Sequence, residues 1–392
     1  MQGARPRTVA VHGGRRPTPA DPDVVPPLRR ATTFLQHKGT FAATDGGDWD
    51  GPLVYSRYKN PTVEEVEGRL AALEGAEDAV LFASGIAALH AVLTAAVPSG
   101  RGRVALARQI YGGTDALLAG PLGALGFETV HFDVEDPSDL ERALATGVDL
   151  VHCEGISNPT ALVADLREIA DAAHAHSVPL SVDSTFATPT VQRPLEHGAD
   201  WVVHSATKAL GGHSDLTAGV VLGSSERIES VQRWRRVAGA ILDPSAAWLL
   251  GRSLCTLELR VRAQCENAAR LAAALEGRAG VARVHYPGLE SHRSHALAGR
   301  MLSPGLFGSV LSFELEAGDE ATRPFVSRLG VATDAPSLGG VETLVSIPAY
   351  MSHVALGPEG RAAAGIGPGC VRVAAGIEDP EDLVADFLGA LG

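Results

Sequence analysis

Six short apolar runs recur along the first half of the chain: AVLF at 79–82, RVALA at 103–107, ETVHF at 128–132, DLVHC at 149–153, VPLSVD at 178–183 and WVVH at 201–204. Most are apolar at consecutive rather than alternate positions, the pattern of strands buried on both faces of a parallel sheet. The runs lie about 20–30 residues apart, enough for a crossover helix between strands, and so predict βαβ units. Two of the predicted helices, one ahead of the first run and one between the fourth and fifth, carry end signals. Asn60 caps a start at which Pro61 takes the first helical position and Glu64 and Glu65 lie near the positive end of the dipole. Val63, Val66, Leu70 and Leu73 form its apolar face, and Gly75 is the stop. Asp165 to His176 opens with Asp-x-x-Glu, a capping-box variant.

The rhythm has limits on both sides. Residues 1–60 are rich in Pro, Gly and Thr, with weak periodicity, and predict an extended N-terminal arm. The repeating units fill residues 61–250. Beyond about 250 the pattern becomes a long helical stretch (Leu249 to Leu275), hairpin-like strands at 308–316 and a strand at Gly369 to Ala374. The predicted fold class is therefore α/β: a mostly parallel sheet with flanking helices, plus a smaller C-terminal α+β domain over 251–392. The apolar stretch Ala79 to Val97 contains Ser84-Gly85 and His90, so it reads as strand, turn and helix rather than a membrane span.

The chain has 392 residues, 45% hydrophobic and 20% charged, which excludes a disordered or fibrous class. A formal net charge of −13 argues against nucleic-acid binding and against docking on anionic lipid. Cys153, Cys255, Cys265 and Cys370 show no paired spacing and predict free thiols in a reducing compartment. The N-terminus lacks an apolar segment, so no signal peptide is expected and the reading is cytoplasmic. Of 33 basic residues, only Lys38, Lys59 and Lys208 are lysines. An amine can lose its proton and attack a carbonyl, which a guanidinium cannot, so each lysine is a candidate for chemistry.

Ligands of open parallel sheets bind at the carboxyl ends of the strands. The residues that follow the predicted strands are Ser84-Gly85-Ile86, Tyr111-Gly112-Gly113-Thr114, Glu154 with Ser157-Asn158-Pro159, Asp183, and Ser205, Thr207 and Lys208. Taken singly, a strand-end Asp is a turn former, a Ser-Gly is a helix cap and a lysine faces solvent. Together they supply what pyridoxal 5′-phosphate (PLP) needs. Lys208 is an amine for the aldehyde, and Asp183 a carboxylate for the ring nitrogen. Gly85 and Ile86 offer backbone N–H groups for the phosphate, with Ser205 and Thr207 as side-chain donors. Tyr111 can lie over the ring. GIGPG at 365–369 precedes a strand and reads as a turn, and His292 and His295 read as surface histidines with no metal site.

At these positions the sequence resembles the PLP-dependent enzymes of cysteine and methionine metabolism: cystathionine γ-synthase, cystathionine γ-lyase, methionine γ-lyase and O-acylhomoserine sulfhydrylase. The resemblance runs through AVHGGRRP (10–17), YSRYKNPT (55–62), ASGIAA (83–88), YGGT (111–114), SNPT (157–160) and VDSTFATP (182–189). It continues in HSATKALGGHSD (204–215), YPGLESH (286–292), SLGGVETL (337–344), PAYMSH (348–353) and VRVAAGIED (371–379). It implies the type I, aspartate-aminotransferase-like PLP fold and PLP itself as cofactor, held by Lys208. It further implies that Asn158 bonds the ring oxygen, that Tyr111 stacks and moves protons, and that Arg372 with Ser337 binds the substrate carboxylate. Tyr55 and Arg57 would reach the phosphate of a neighbouring subunit, in a homotetramer built as a dimer of active dimers. Three positions depart from the family pattern: Ser184 replaces a usual Asn, Pro336 stands where several cystathionine enzymes carry Glu, and Gly113 stands where methionine γ-lyases often carry Cys. The resulting expectation is a carbon–sulfur lyase performing γ-elimination on a cystathionine- or methionine-type amino acid. The alternative is γ-replacement on an O-acylhomoserine, as by cystathionine γ-synthase or a sulfhydrylase. Rivals from other classes are a catalytically silent binding protein and a nicotinamide oxidoreductase, the latter lacking its GxGxxG loop.

Overall fold

A computed structural model describes residues 3–14, 22–36, 52–97, 102–351, 354 and 357–392. Lys38, and parts of the AVHGGRRP and PAYMSH motifs, lie outside the described residues. Seven strands form the larger sheet: β1 (Asp78–Phe82), β2 (Arg103–Ala107), β3 (Glu128–Phe132), β4 (Leu150–Glu154), β5 (Leu180–Asp183), β6 (Trp201–His204) and β7 (Gly219–Gly223). Their order is β1-β7-β6-β5-β4-β2-β3, with β7 antiparallel to both neighbours and all other pairs parallel. Apolar clusters lie on both faces of this sheet, which is why its strands lack alternation. A second sheet contains β8 (Val281–His285), β9 (Val310–Leu315), β10 (Thr333–Asp334), β11 (Leu344–Ser346) and β12 (Cys370–Ala374), in the order β10-β11-β12-β9-β8. This is the mostly parallel sheet with flanking helices and smaller α+β portion that the sequence predicts. Among the described residues, no helix is long and apolar enough to cross a membrane.

The local signals hold where they are strongest. Asn60 accepts from the Thr62 N–H at the start of the helix Pro61–Glu74, and Gly75 ends it at φ +77°. The Asp165 side chain caps Leu166–Ala175 through the Glu168 N–H.

Elsewhere the structure corrects the reading. The N-terminal segment is not wholly extended, because Pro6–His12 is helical with Pro at its first position. Strand β7 was not predicted: glycines bound it, and no helix separates it from β6 to mark the usual rhythm. The single helix expected over 249–275 is two helices, Pro244–Leu254 and Leu257–Leu275. At the break, Arg260 donates to the Ser253 carbonyl (2.9 Å), which a continuous helix would pair internally, and also to the Thr256 hydroxyl (3.2 Å). The expected hairpin at 308–316 is one strand, β9, whose partners β8 and β12 come from distant parts of the chain. Nor are His292 and His295 surface groups. His292 is buried against the Thr160 carbonyl (3.2 Å), and burial lowers its pKa to about 4. His295 is half-buried and stacks on Phe307.

The outer edge of β1 is closed by a buried ion pair. Glu67, from the helix Pro61–Glu74, accepts from the Leu81 N–H (2.8 Å) and from Arg235 (2.6 Å), and Arg235 donates to the Leu81 carbonyl (3.0 Å). Both side chains are buried. The pair thus satisfies the backbone groups that an edge strand leaves open. Glu67→Ala strands a buried guanidinium and an amide, and is expected to lower unfolding free energy by about 3–5 kcal/mol, read from the urea midpoint. A loss below about 1 kcal/mol, the range of an exposed pair, overturns this assignment.

Candidate active site

The larger sheet directs its chemistry to one end. Glu154 closes β4 and Asp183 closes β5 as register partners, and Ser205, Thr207 and Lys208 follow β6. A cavity of about 850 Å³ opens at these strand ends. Its other wall comes from Pro336, Ser337 and Leu338, and from Ser346 and Arg372 on β11 and β12. Of the residues named from sequence, Gly85, Ile86, Tyr111, Asn158, Asp183, Ser205, Thr207, Lys208, Ser337 and Arg372 all line it. Tyr55 and Arg57 do not line the cavity of their own chain. Arg57 instead donates to the Arg236 carbonyl and to the Tyr58 hydroxyl, with its guanidinium over the rings of Tyr55 and Tyr58.

Lys208 donates from Nζ to Ser337 Oγ at 2.6 Å. Burial, and next the positive charge of Arg372, lower the pKa of this amine. Ser337 holds φ at +100°, a left-handed conformation that side-chain-bearing residues rarely adopt. In that conformation its hydroxyl meets Lys208 while its carbonyl accepts from Arg372 at 2.9 Å. Arg372 also donates to Asn158 Oδ1 (3.2 Å), and its Nε is buried without a partner. Burial lowers the Arg372 pKa to about 10.

The opposite charge gathers at the ends of β4 and β5. Burial raises the pKa of Glu154, and the neighbouring Asp183 charge raises it further. Asp183 is also raised, mainly by burial, although it accepts from the Thr185 N–H at 2.8 Å. Among the described residues, no cation lies within ion-pair distance of either carboxylate. A third region surrounds the start of the helix Gly85–Ala96, capped by Ser84. The N–H groups of Gly85 and Ile86 have no intrahelical acceptor there and sit at the positive end of the dipole. A Cβ on Gly85 would lie 2.8 Å from Ser205 Cβ, so only glycine permits this close approach.

This donor set fits PLP: an amine that gives up its proton readily, buried carboxylates lacking a cation, and a tight anion cradle at a helix start. One predicted donor is engaged elsewhere. The Thr207 hydroxyl donates to the Ala218 carbonyl and accepts from its N–H (3.1 and 2.9 Å). Among the lining residues that lacked a role in the sequence reading are Thr185 and Glu154. Thr185 accepts from the Ser205 N–H at 2.8 Å, and its position two residues past Asp183 was a usable signal. Glu154 was noted at its strand end, but its partners there are backbone groups, which leave no mark in a sequence. Of the three departures, Gly113 and Pro336 line the cavity, whereas Ser184 is fully buried outside the lining.

The chain is similar to known proteins along its whole length. The L-methionine gamma-lyase of Pseudomonas putida is 39% identical over 386 residues, covering 98% of this chain and 96% of its own. The O-succinylhomoserine sulfhydrylase of Pseudomonas aeruginosa is 39% identical, with 100% and 96% covered. The structure of cystathionine gamma synthase from Xanthomonas oryzae pv. oryzae in complex with cystathionine superposes with a TM-score of 0.93 at 37% identity, covering 100% of this chain and 98% of that one. The family description Cys/Met metabolism PLP-dependent enzyme matches residues 7–392. The chain therefore belongs to the Cys/Met metabolism PLP-dependent enzyme family, whose cofactor is pyridoxal 5′-phosphate.

Proposed function

We propose that the chain is a carbon–sulfur lyase that performs γ-elimination on a cystathionine- or methionine-type amino acid, yielding an α-keto acid, ammonia and a thiol, with preference for an uncharged γ substituent. The observation that carries the preference is the cavity's acid inventory. Its only acidic lining residues among those described are Glu154 and Asp183. Glu154 accepts two backbone N–H groups, and Asp183 is assigned to the cofactor ring. Pro336 offers neither charge nor donor. Glu342 is tied to Ser214 outside the lining, and Asp45 lies outside the described residues. A distal ammonium therefore finds no anionic partner in this wall. The second reading, γ-replacement on an O-acylhomoserine, draws on the equal similarity to a sulfhydrylase. Release of pyruvate, α-ketobutyrate and thiol over a panel of cystathionine, methionine, cysteine and O-acylhomoserines separates the two.

Bound PLP supplies an aldehyde for the amine and a ring that withdraws electrons from the substrate's α carbon. The protein's own groups do the rest. Lys208 Nζ would hold the cofactor, then take a proton from the α carbon, hand it on and take a second from the β carbon, the departing thiol leaving with a proton; Ser337 Oγ steadies the amine. Arg372 turns its unpartnered Nε and a neighbouring donor to the substrate carboxylate, with Ser337 and Asn158 fixing the guanidinium plane. Asp183 pairs with the ring nitrogen, and Asn158 bonds the ring oxygen. Tyr111 covers the ring and serves proton transfer. Gly85, Ile86 and Ser205 would hold the phosphate, while Thr207 keeps its hydroxyl on Ala218 and braces the turn that carries Lys208. Tyr55 and Arg57 complete the site of a partner subunit, which makes the dimer the active unit and a cytoplasmic homotetramer of two such dimers the assembly. The 38% exposure of Tyr55 supports that assignment.

Borohydride reduction of the loaded enzyme is expected to label the Lys208 peptide, and Lys208→Ala to remove both label and turnover; a label elsewhere overturns the role. Because the amine's pKa is lowered, the rate of cofactor capture by the unloaded protein rises with pH about a midpoint below the ordinary 10.5.

Arg57→Ala and Lys208→Ala subunits, each inactive, are expected to regain activity when mixed, since a hybrid dimer contains one intact site. Hybrids that form and stay inactive count against a shared site.

Pro336→Glu is expected to raise kcat/KM for cystathionine relative to methionine by about 1–2 kcal/mol, the scale of one partly solvated charge contact. A native preference for cystathionine of several orders of magnitude would refute the substrate reading.

A further inference from the structure

Glu154 is the one charged group of the cavity that the reaction scheme leaves without a task. Its Oε1 accepts from the Tyr111 N–H at 2.7 Å and its Oε2 from the Asn158 N–H at 3.1 Å. These two residues belong to different loops, one following β2 and the other following β4. The Tyr111 ring is 45% exposed, so its position over the cavity depends on how its backbone is anchored. Asn158 in turn meets Arg372. Glu154 also faces Asp183 across the β4–β5 register. We propose that Glu154 is a positioning residue for the ring end of the cofactor site: its carboxylate holds the Tyr111 and Asn158 backbones beside Asp183, and a cationic ring seated at Asp183 tightens both holds.

This role for Glu154 rests on the PLP reading and on like charges in a buried place. Burial and mutual repulsion disfavour joint ionisation of the two neighbouring carboxylates, against the amide hydrogen bonds that favour each charged form, so the unloaded pair takes up a proton more readily than either group would alone. Burial and the Asp183 charge both press Glu154 towards its acid form. The other charged groups nearby do not relieve this. Lys208 is engaged with Ser337, and Arg372 with Asn158 and Ser337. From β6, His204 favours ionised Asp183 but bonds to Glu74 (2.9 Å), and burial and the two carboxylates hold the Cys153 thiol neutral. A carboxylic acid's hydroxyl oxygen is a weak acceptor, so only ionised Glu154 holds both amides well. A ring that arrives already protonated at its nitrogen lets both carboxylates ionise, and the displaced carboxyl proton passes to the buffer.

The test is calorimetric titration of unloaded protein with PLP in two buffers of different ionisation enthalpy, for wild type and Glu154→Gln, with visible-region circular dichroism of the loaded forms. The wild type is expected to release about one proton more per cofactor than Glu154→Gln. A neutral amide can accept only one of the two N–H groups, so PLP affinity is expected to fall roughly tenfold in the variant. The dichroic band of the bound cofactor is expected to fall with it. Equal proton release and an unchanged band overturn the proposal. If Glu154→Gln does not fold, Glu154→Asp replaces it: the acid is kept and proton release persists, but its reach is too short for both amides and the band falls. An unchanged band in that variant overturns the proposal equally. Failure of the PLP reading itself shows differently, as no binding and no borohydride label at Lys208 in any form.

Discussion

Two carboxylates meet where β4 and β5 end, on strands buried on both faces, and neither has a cation at hand among the described residues. Ionising both there costs several kcal/mol unless a positive group arrives. The rest of the site follows that demand. A helix start with free N–H groups, held to Ser205 by the absence of a side chain on Gly85, offers a place for negative charge. On the proposed assignment, a ligand carrying a cationic ring nitrogen and an anionic phosphate would be oriented by this charge layout before any covalent bond forms.

The second sheet completes what the first begins. Ser337, held at positive φ, turns its hydroxyl to Lys208 and its carbonyl to Arg372. Arg372 sits within β12, paired with β9 and β11, so its backbone is fixed by sheet register rather than by a loop. Its link to Asn158 then joins the second sheet to the loop after β4. The proposed substrate-carboxylate site is thus built from rigid strands on one side and a strained residue on the other, which limits the reorganisation needed when substrate binds.

The floor of the proposed site was legible because doubly buried strands read as continuous apolar runs whose ends lie no more than four residues from Ser84, Tyr111, Asn158, Asp183 and Lys208. Asp183 stands out by that position, and Lys208 by that position together with the scarcity of lysine. What the sequence concealed was set by contacts between distant segments. His292 is buried by a carbonyl 132 residues away, and Glu154 acts on a backbone 43 residues before it. Strand β9 has the alternation of a hairpin but pairs with strands outside its own neighbourhood, and the helix break near Thr256 depends on an arginine in the following turn. Tyr55 and Arg57 took their meaning only from the family resemblance, because nothing in their own chain's cavity calls for them.

The departures from the family pattern fall on different parts of the site, and this bears on why relatives of different reaction types are equally similar. Ser184 is buried outside the cavity lining, where exchanging one polar side chain for another does not touch a substrate. Gly113 and Pro336 are wall residues. A Cβ on Gly113 would lie 2.3 Å from the Tyr111 ring, so a side chain there displaces the ring that covers the cavity. In the proposed site, the amine, the carboxylate pair and the helix cradle would serve any reaction that begins by withdrawing electrons from an α carbon. Reaction choice then depends on which γ substituent the wall admits and how firmly Tyr111 closes over it, properties governed by a few residues that overall identity does not weigh.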